Sequence, residues 1–438
     1  MKRKKINIAL TICVLVLGVS LTFYFRRQFV RQGQALANTQ MQLKLTKKQL
    51  DIQRAKVNKN DIDDRVVNEL TTPEQAYLKQ ELLDNNFSGT ILIVRHNHVI
   101  YQGGRGYANS EQFTTPKTTY QIGSVQKSLT AALVMKAVEN GQLKLTDHLS
   151  RFYPQIPKAN QITLQMMLDM RSGLFETSAP KVVQTDAQRL QFAIKHLQVK
   201  KIGQHAYSPV NYVLLAGILQ QATHKSYNDL MKQQIITPLG VQAFNFMPNF
   251  SDPQHATAYA YQKNGAYGAE IEDPAYIYTR ELGTGNLYAT ASSLYQVEEA
   301  IVQGKVFKSK YLQQLRHTNN GQYSGGVYNY RDYFTSHGIE AGFESHVQMS
   351  QNGESGIILL SNQYKSTPSL VTMSKQIYQQ LLVYKKSARQ KITFVLRSFY
   401  ALVLIVCLKW RAPIVNKVKP IRQPTQLRMI SLIAKVPK

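Results

Sequence analysis

Hydrophobic positions along this chain follow three spacings, and each predicts a different kind of structure. Residues 6–25 (INIALTICVLVLGVSLTFYF) are almost wholly apolar and carry no charge. Twenty helical residues rise about 30 Å, enough to cross a bilayer. Residues 28–60 are polar, with Leu36, Leu43, Leu50 and Val57 seven apart but Gln40, Lys47 and Arg54 between them. That pattern predicts a helical stalk over 26–60, roughly 50 Å long, with at most weak self-association as a coiled coil. Beyond it, short strand-like runs and 3.6-residue periods take turns, as in a globular domain.

The globular pattern begins at Thr72-Pro73. A helix is expected over 73–83, then a turn at Asp84-Asn85-Asn86 and a strand over 89–94. The turn His96-Asn97-His98 leads to a return strand, Val99-Ile100-Tyr101. Gly103, Gly104 and Gly106 follow a strand but open no helix, so they read as a strand with close backbone approach rather than a phosphate loop. Leu129, Leu133, Val134 and Val138 recur at helical spacing and predict an amphipathic helix stopped by Gly141. Thr163 caps a further helix, which ends near Met170-Arg171-Ser172-Gly173-Leu174. Helices are expected over 213–222 and over 291–302, the second after the turn Gly283-Thr284-Gly285-Asn286-Leu287. Three strand-like runs close the domain at 332–336, 343–349 and 356–360. The expected class is α+β over 61–384. Its antiparallel sheet is formed by the N- and C-terminal strands, with helices on both faces and a mainly helical middle.

Charge changes the picture only at the ends. The net charge of +27 resembles that of a nucleic-acid binder, but residues 1–60 carry a net +12 and residues 385–438 a net +13. The middle is close to neutral, so no nucleic-acid partner is expected. Lys2, Arg3, Lys4 and Lys5 precede the first apolar run and Arg26-Arg27 follow it without a small-x-small cleavage site. Residues 1–5 thus read as a cytoplasmic basic end and 6–25 as an uncleaved signal-anchor, with the globular part outside the membrane. A cleaved signal peptide is the alternative. A second, shorter run at 392–408 is interrupted by Arg397 and followed by a basic tail. It fits either a second span or a helix lying on anionic lipid. Cys13 and Cys407, the two cysteines, lie inside these apolar runs, so the globular part relies on its core and not on disulfides.

Candidate chemistry centres on residues 120–141, YQIGSVQKSLTAALVMKAVENG. Ser124 opens a helix and Lys127 stands three residues on, which puts both side chains on one face. A serine hydroxyl becomes a nucleophile when a neighbouring base takes its proton, and a desolvated lysine can be that base. Helix N-terminal amides can receive a developing oxyanion. A second Ser-x-x-Lys, Ser178-Ala179-Pro180-Lys181, contains a proline and precedes no periodic run. It is read as coincidence.

In order along the chain stand FSGTILIV, GYAN at 106–109, IGSVQKSLTAAL, LDMRSGL, YSPVNYVLLAGIL, PLG at 238–240, the 283–287 turn and HGIEAGFES. On these the chain resembles the serine beta-lactamase and penicillin-binding-protein superfamily, and its class C-like branch most closely, over roughly 73–384. The resemblance implies an acyl-enzyme on Ser124 with Lys127 as its base. It makes Tyr207 the shuttle of the Tyr-x-Asn motif, with Pro209 where Asn is usual and Asn211 as a substitute. Tyr107-Ala108-Asn109 precedes Ser124 and is set aside by order. The third motif, often Lys-Thr-Gly, is read as His337-Gly338-Ile339. His337 and Gly338 would then contact substrate, Ile339 would replace a glycine, and the Ser124 and Glu340 amides would form the oxyanion hole. No metal or cofactor is implied.

The altered second and third motifs are similar to those of membrane-anchored enzymes that remove D-alanyl esters from teichoic acids. The expectation is a serine acyl hydrolase at the cell membrane whose partner is an envelope polymer, teichoic acid or peptidoglycan. A D,D-carboxypeptidase on stem peptides is the alternative enzyme. A non-catalytic sensor of wall fragments or beta-lactams is the alternative of another class.

Overall fold

The most apolar strand runs, ILIV at 91–94 and IILL at 357–360, are buried on both faces and pair with each other. A continuous apolar run has no polar face to turn to solvent, so it takes the centre of a sheet. The computed structural model describes residues 64–241, 243–247, 252–263, 265–367 and 369–383. The expected cytoplasmic end at 1–5, the anchor at 6–25, the stalk at 26–60 and the apolar run at 392–408 lie outside the described residues. No described helix is long and apolar enough to cross a membrane. The chain divides into two compact units, residues 1–378 and 379–438, and the first carries the fold.

Around the central pair an eight-stranded antiparallel sheet is built. Its strands are β1 (Val67–Asn68), β2 (Gly89–Arg95), β3 (His98–Arg105), β4 (Asn320–Ser324), β5 (Val327–Tyr330), β6 (Tyr333–Glu340), β7 (Phe343–Ser350) and β8 (Gly356–Ser361). Their order across the sheet is β1-β3-β2-β8-β7-β6-β5-β4. Both ends of the domain therefore complete one sheet, as expected, and Gly103 and Gly104 sit inside β3 as strand residues.

The site is positioned by α1 (Thr72–Asp84), α2 (Gln126–Glu139), α3 (Val210–Thr223), α4 (Ala291–Val302) and α5 (Leu370–Ile377). α5 covers β7 and packs on α1, and its Leu370 amide donates to Glu344 Oε1 at 3.1 Å. α2 and α4 lie on the opposite face, and α3 packs against α2 from beyond. Helices on both faces and a helical middle match the expected α+β class.

Two expectations are corrected. α2 is not amphipathic: Ala131, Ala132 and Met135 are as buried as Leu129, Leu133 and Val134. A helix enclosed on every side needs no polar face, and alanines hide that from a count of large apolar residues. β6 continues past Ser336 to Glu340, pairing residue by residue with β7 as far as Glu340 against Phe343. In its last four residues, HGIE, only Ile339 favours a strand, and the segment is held by pairing with β7 and by contact with residues 122–124.

Candidate active site

Gly123, Ser124 and Val125 form a 3₁₀ turn between the short strand Tyr120–Gln121 and the first residue of α2. One turn later Lys127 is fully buried, and its Nζ donates to Ser124 Oγ at 2.7 Å and to the Thr284 carbonyl at 3.2 Å. The spacing read from sequence is therefore realised as a direct contact. The 283–287 turn is fastened to this region at several points. Thr130 Oγ1 donates to Gly283 O at 2.7 Å, Gln121 Nε2 to Gly285 O at 2.9 Å and Gln126 Nε2 to Asn286 Oδ1 at 2.8 Å. Each contact fixes the carbonyl side of the lysine, so its amine has one position.

Tyr207 lies with its ring centroid 5.4 Å from Lys127 Nζ and stands edge-on to Tyr323 at 5.7 Å. It is 42 % exposed, so the ring stands beside the lysine and stays open to an incoming group. Its loop hangs on the LDMRSGL segment: the Ala206 amide donates to Met170 O at 2.8 Å. Asn211 does not take a substrate-binding place. It is 1 % exposed, accepts from Ser172 Oγ at 2.5 Å and donates to Ser208 O at 3.0 Å. Two residues into α3, it braces the Tyr207 loop from behind. The proline at 209 caps α3 and leaves that brace intact.

The third motif shifts by one residue. A Cβ on residue 338 would lie 2.1 Å from the Ile122 carbonyl oxygen and 2.9 Å from the Ser124 amide nitrogen. Gly338 is thus the position that only glycine fits, and the triplet is Ser336-His337-Gly338. The amide brought against the nucleophile turn belongs to Ile339: a Cβ on Gly123 would lie 3.0 Å from Ile339 N. The backbone nitrogen next to the nucleophile turn is thus that of Ile339, not the Glu340 nitrogen expected from the motif. Glu340 is turned to other work, with its Oε1 accepting from Arg280 Nη2 at 2.9 Å. Burial and the neighbouring Glu281 push its carboxyl up to about 7, against the pull of Arg280.

His337 borders the Ser124 pocket, but its Nε2 is 2.9 Å from the buried carboxylate of Glu344. Residues 337 and 346 are paired, so the imidazole belongs to the α5 face, while Gly338 and Ser345 face the nucleophile turn. The pocket itself has a volume of about 260 Å³. Tyr207, Tyr323, Tyr328 and Ser336 surround Ser124 there, and no Lys or Arg is among its lining residues.

Sequence reasoning missed the wall formed by β4 and β5. Their two-residue turn, Gly325-Gly326, has φ of 63° and 87°. A Cβ on residue 326 would lie 2.4 Å from the Ser128 amide, so the hairpin tip rests on the α2 backbone beside Lys127. The Gly-Gly dipeptide between Tyr323-Ser324 and Val327-Tyr328 was the available signal. Beneath it, Ser128 Oγ donates to Glu298 of α4, and Arg316 stands 3.4 Å from the same carboxylate. Of the two sequence decoys, Ser178 to Lys181 is irregular backbone, and Tyr107 stacks on Phe113 at 4.8 Å away from Ser124. Among the described residues no group of three or more His, Cys, Asp or Glu is placed to hold a metal ion.

The arrangement can carry out nucleophilic acyl transfer: a serine in contact with a buried amine, an aromatic ring carrying a phenol beside that amine, and backbone nitrogens of the nucleophile turn and β6 close by. Comparison with known proteins agrees. The family model described as beta-lactamase matches residues 75–382. A putative penicillin-binding protein, PbpX, of Bacillus subtilis is 26 % identical over 355 residues, covering 79 % of this chain and 85 % of its own. A teichoic acid D-alanine hydrolase of Staphylococcus aureus is 26 % identical over 331 residues, covering 73 % and 80 %. The crystal structure of FmtA from Staphylococcus aureus superposes with a TM-score of 0.64 at 23 % identity, over 75 % of this chain and 93 % of that one. D-amino acid amidase from Ochrobactrum anthropi gives 0.61 at 20 % identity, over 73 % of this chain and all of that one.

Proposed function

The chain belongs to the beta-lactamase family of serine hydrolases, and from that premise we propose that it removes D-alanyl esters from teichoic acid at the outer face of the cell membrane. Ser124 attacks the ester carbonyl while Lys127 accepts its proton across the 2.7 Å contact. The carbonyl oxygen becomes an oxyanion between the Ser124 and Ile339 amides. Tyr207 passes the proton to the departing polyol oxygen, leaving D-alanyl on Ser124. Water attacks that ester, Lys127 or Tyr207 takes its proton, and Ser124 regains its hydrogen as D-alanine leaves.

The observation that carries the choice of substrate is that no arginine lines the Ser124 pocket, that its amine, Lys127, is engaged by Ser124, and that its imidazole, His337, stands 2.9 Å from the Glu344 carboxylate. A D-Ala-D-Ala carboxylate sits two bonds from the scissile nitrogen and would be desolvated in this pocket. Neither Lys nor Arg lines it, and Ser336 stands where the motif usually supplies a lysine. An unpaired buried carboxylate is costly, whereas the alcohol of an ester asks only for hydrogen bonds. The teichoic-acid hydrolase among the relatives supports the same reading. The apolar run at 6–25, preceded by Lys2 to Lys5, would hold the enzyme on the membrane.

Full-length enzyme in detergent, wild type and Ser124→Ala, is incubated with D-alanylated lipoteichoic acid and separately with a pentapeptide muropeptide. Free D-alanine is measured. Release from the teichoic acid alone, abolished in Ser124→Ala, is expected. Release from the muropeptide alone would replace the proposal with a carboxypeptidase.

A further inference from the structure

We infer that a second cavity beside the Ser124 pocket is a binding subsite for the phosphodiester groups of the polymer that bears the ester. The inference rests on the teichoic-acid reading above and names the part of that substrate the cavity holds. Its volume is about 260 Å³, and it shares Tyr323 and Tyr328 with the Ser124 pocket. Tyr323 bridges the two: it meets Tyr207 at 5.7 Å on one side and the His205 ring at 6.3 Å on the other.

The second cavity has a guanidinium in its lining and the Ser124 pocket has none. Arg171, His205 and His317 line the second together with Asp169, beside Thr318 and the Gln322 amide. Arg171 spends its Nε on the Gly203 carbonyl at 2.9 Å, and among the described residues its two terminal nitrogens have no protein partner. Those nitrogens form a fork suited to two oxygens of one phosphate. His317 is tethered from below, with its Nε2 3.6 Å from Asp169 Oδ2. Asp169 is itself buried and accepts from Gln165 Nε2 at 3.0 Å, so it acts as a fixed post for the imidazole.

Substrate chemistry fits this division. In a poly(glycerol phosphate) the esterified carbinol is neutral, and phosphodiesters occupy the carbons on either side. With the ester carbonyl at Ser124, the nearest phosphates pass Tyr323 and Tyr328 and come within reach of the Arg171 fork and the two imidazoles. An anion there is attracted without a cation having to enter the reaction pocket.

Binding is measured by calorimetry on full-length Ser124→Ala protein in detergent, so that no turnover intervenes. The probes are a glycerol-phosphate oligomer free of D-alanine and a pentapeptide whose anions are carboxylates. The oligomer is expected to bind, and adding Arg171→Gln or His317→Gln should weaken it about tenfold each. The peptide should bind no better to the parent than to either variant. Absence of oligomer binding, equal affinity in all three proteins, or a peptide affinity that depends equally on Arg171 would overturn the inference. A second readout is the ratio of kcat/KM for a D-alanyl ester of the oligomer to that of a phosphate-free glycerol ester. Both substitutions should bring that ratio toward one. An enzyme that binds the oligomer through Arg171 yet releases no D-alanine keeps the subsite and refutes the esterase. One that releases D-alanine with an unchanged ratio keeps the esterase and refutes the subsite.

Discussion

Lys127 meets Ser124 because one helical turn separates them and the lysine has nowhere else to go. Its remaining acceptor is a carbonyl, Thr284 O at 3.2 Å. Replacing Lys127→Ala should slow labelling of Ser124 by a fluorophosphonate by about 10²–10⁴-fold. Labelling at the wild-type rate would remove the lysine from the mechanism. Gly338→Ala forces a Cβ to 2.1 Å from the Ile122 carbonyl. It should destabilise the protein by about 1–3 kcal/mol in a chemical melt and abolish labelling as well. An active, equally stable Gly338→Ala protein would contradict the position of the motif. At this scale legibility depends on how local each residue's role is. Ser124, Lys127 and Tyr207 were readable because one turn of helix and motif order bring them forward. His337 borders the Ser124 pocket as expected, whereas Glu340 and Asn211 lie elsewhere than expected, because their positions depend on what packs behind them. A shift of one residue along β6 changes every face assignment.

Among the elements, the β4–β5 hairpin has the largest unforeseen part. It supplies Tyr323 and Tyr328 to the pocket and rests its tip on α2. Gly326→Ala combines a left-handed backbone with a Cβ 2.4 Å from the Ser128 amide. Gly141→Ala is its natural control: φ there is 74°, with nothing within 4 Å of the added carbon. The control should cost about 1–2 kcal/mol, from the backbone alone. Gly326→Ala should cost about 1–3 kcal/mol more, from the collision. Equal losses in thermal melts would mean that the tip does not press on α2. Helices α2 and α4 and strands β2, β7 and β8 were legible from period and apolar content. The hairpin was not, because its alternating Tyr, Ser, Asn and Gln residues give a weak strand signal. The end of β6 was lost for the same reason, since cross-strand pairing is invisible to local propensity.

On the scale of the whole molecule, the sequence order of strands, helices and strands was enough to predict a sheet closed by both chain ends. The depth at which charged groups lie inside it was not, because burial belongs to packing. Burial pushes Asp169 up to about 6 and Asp273 up to about 7, and Glu340 joins them at about 7. These groups hold protons in the fold that the unfolded chain releases, so stability falls as pH rises through this range. Burial lowers His255 from 6.5 to about 4 and His346 to about 3. These rings take up protons on unfolding, so stability also falls as pH drops below about 6.5. The two trends oppose each other where their windows overlap, so the variant isolates one of them: Asp273→Asn should gain thermal stability relative to wild type as pH rises to about 7 and gain no more above it. A difference between the two proteins that does not change with pH would contradict the assignment. The central claim, that Ser124 carries the D-alanyl group between donor and water, is tested most directly by catching that intermediate. Wild-type enzyme and D-alanylated lipoteichoic acid are quenched in acid during turnover, digested and mapped by mass spectrometry. An alanyl group on the peptide containing Ser124, and on no other, is the predicted result. Release of D-alanine with Ser124 unmodified throughout, or an alanyl group on a different residue, would contradict it.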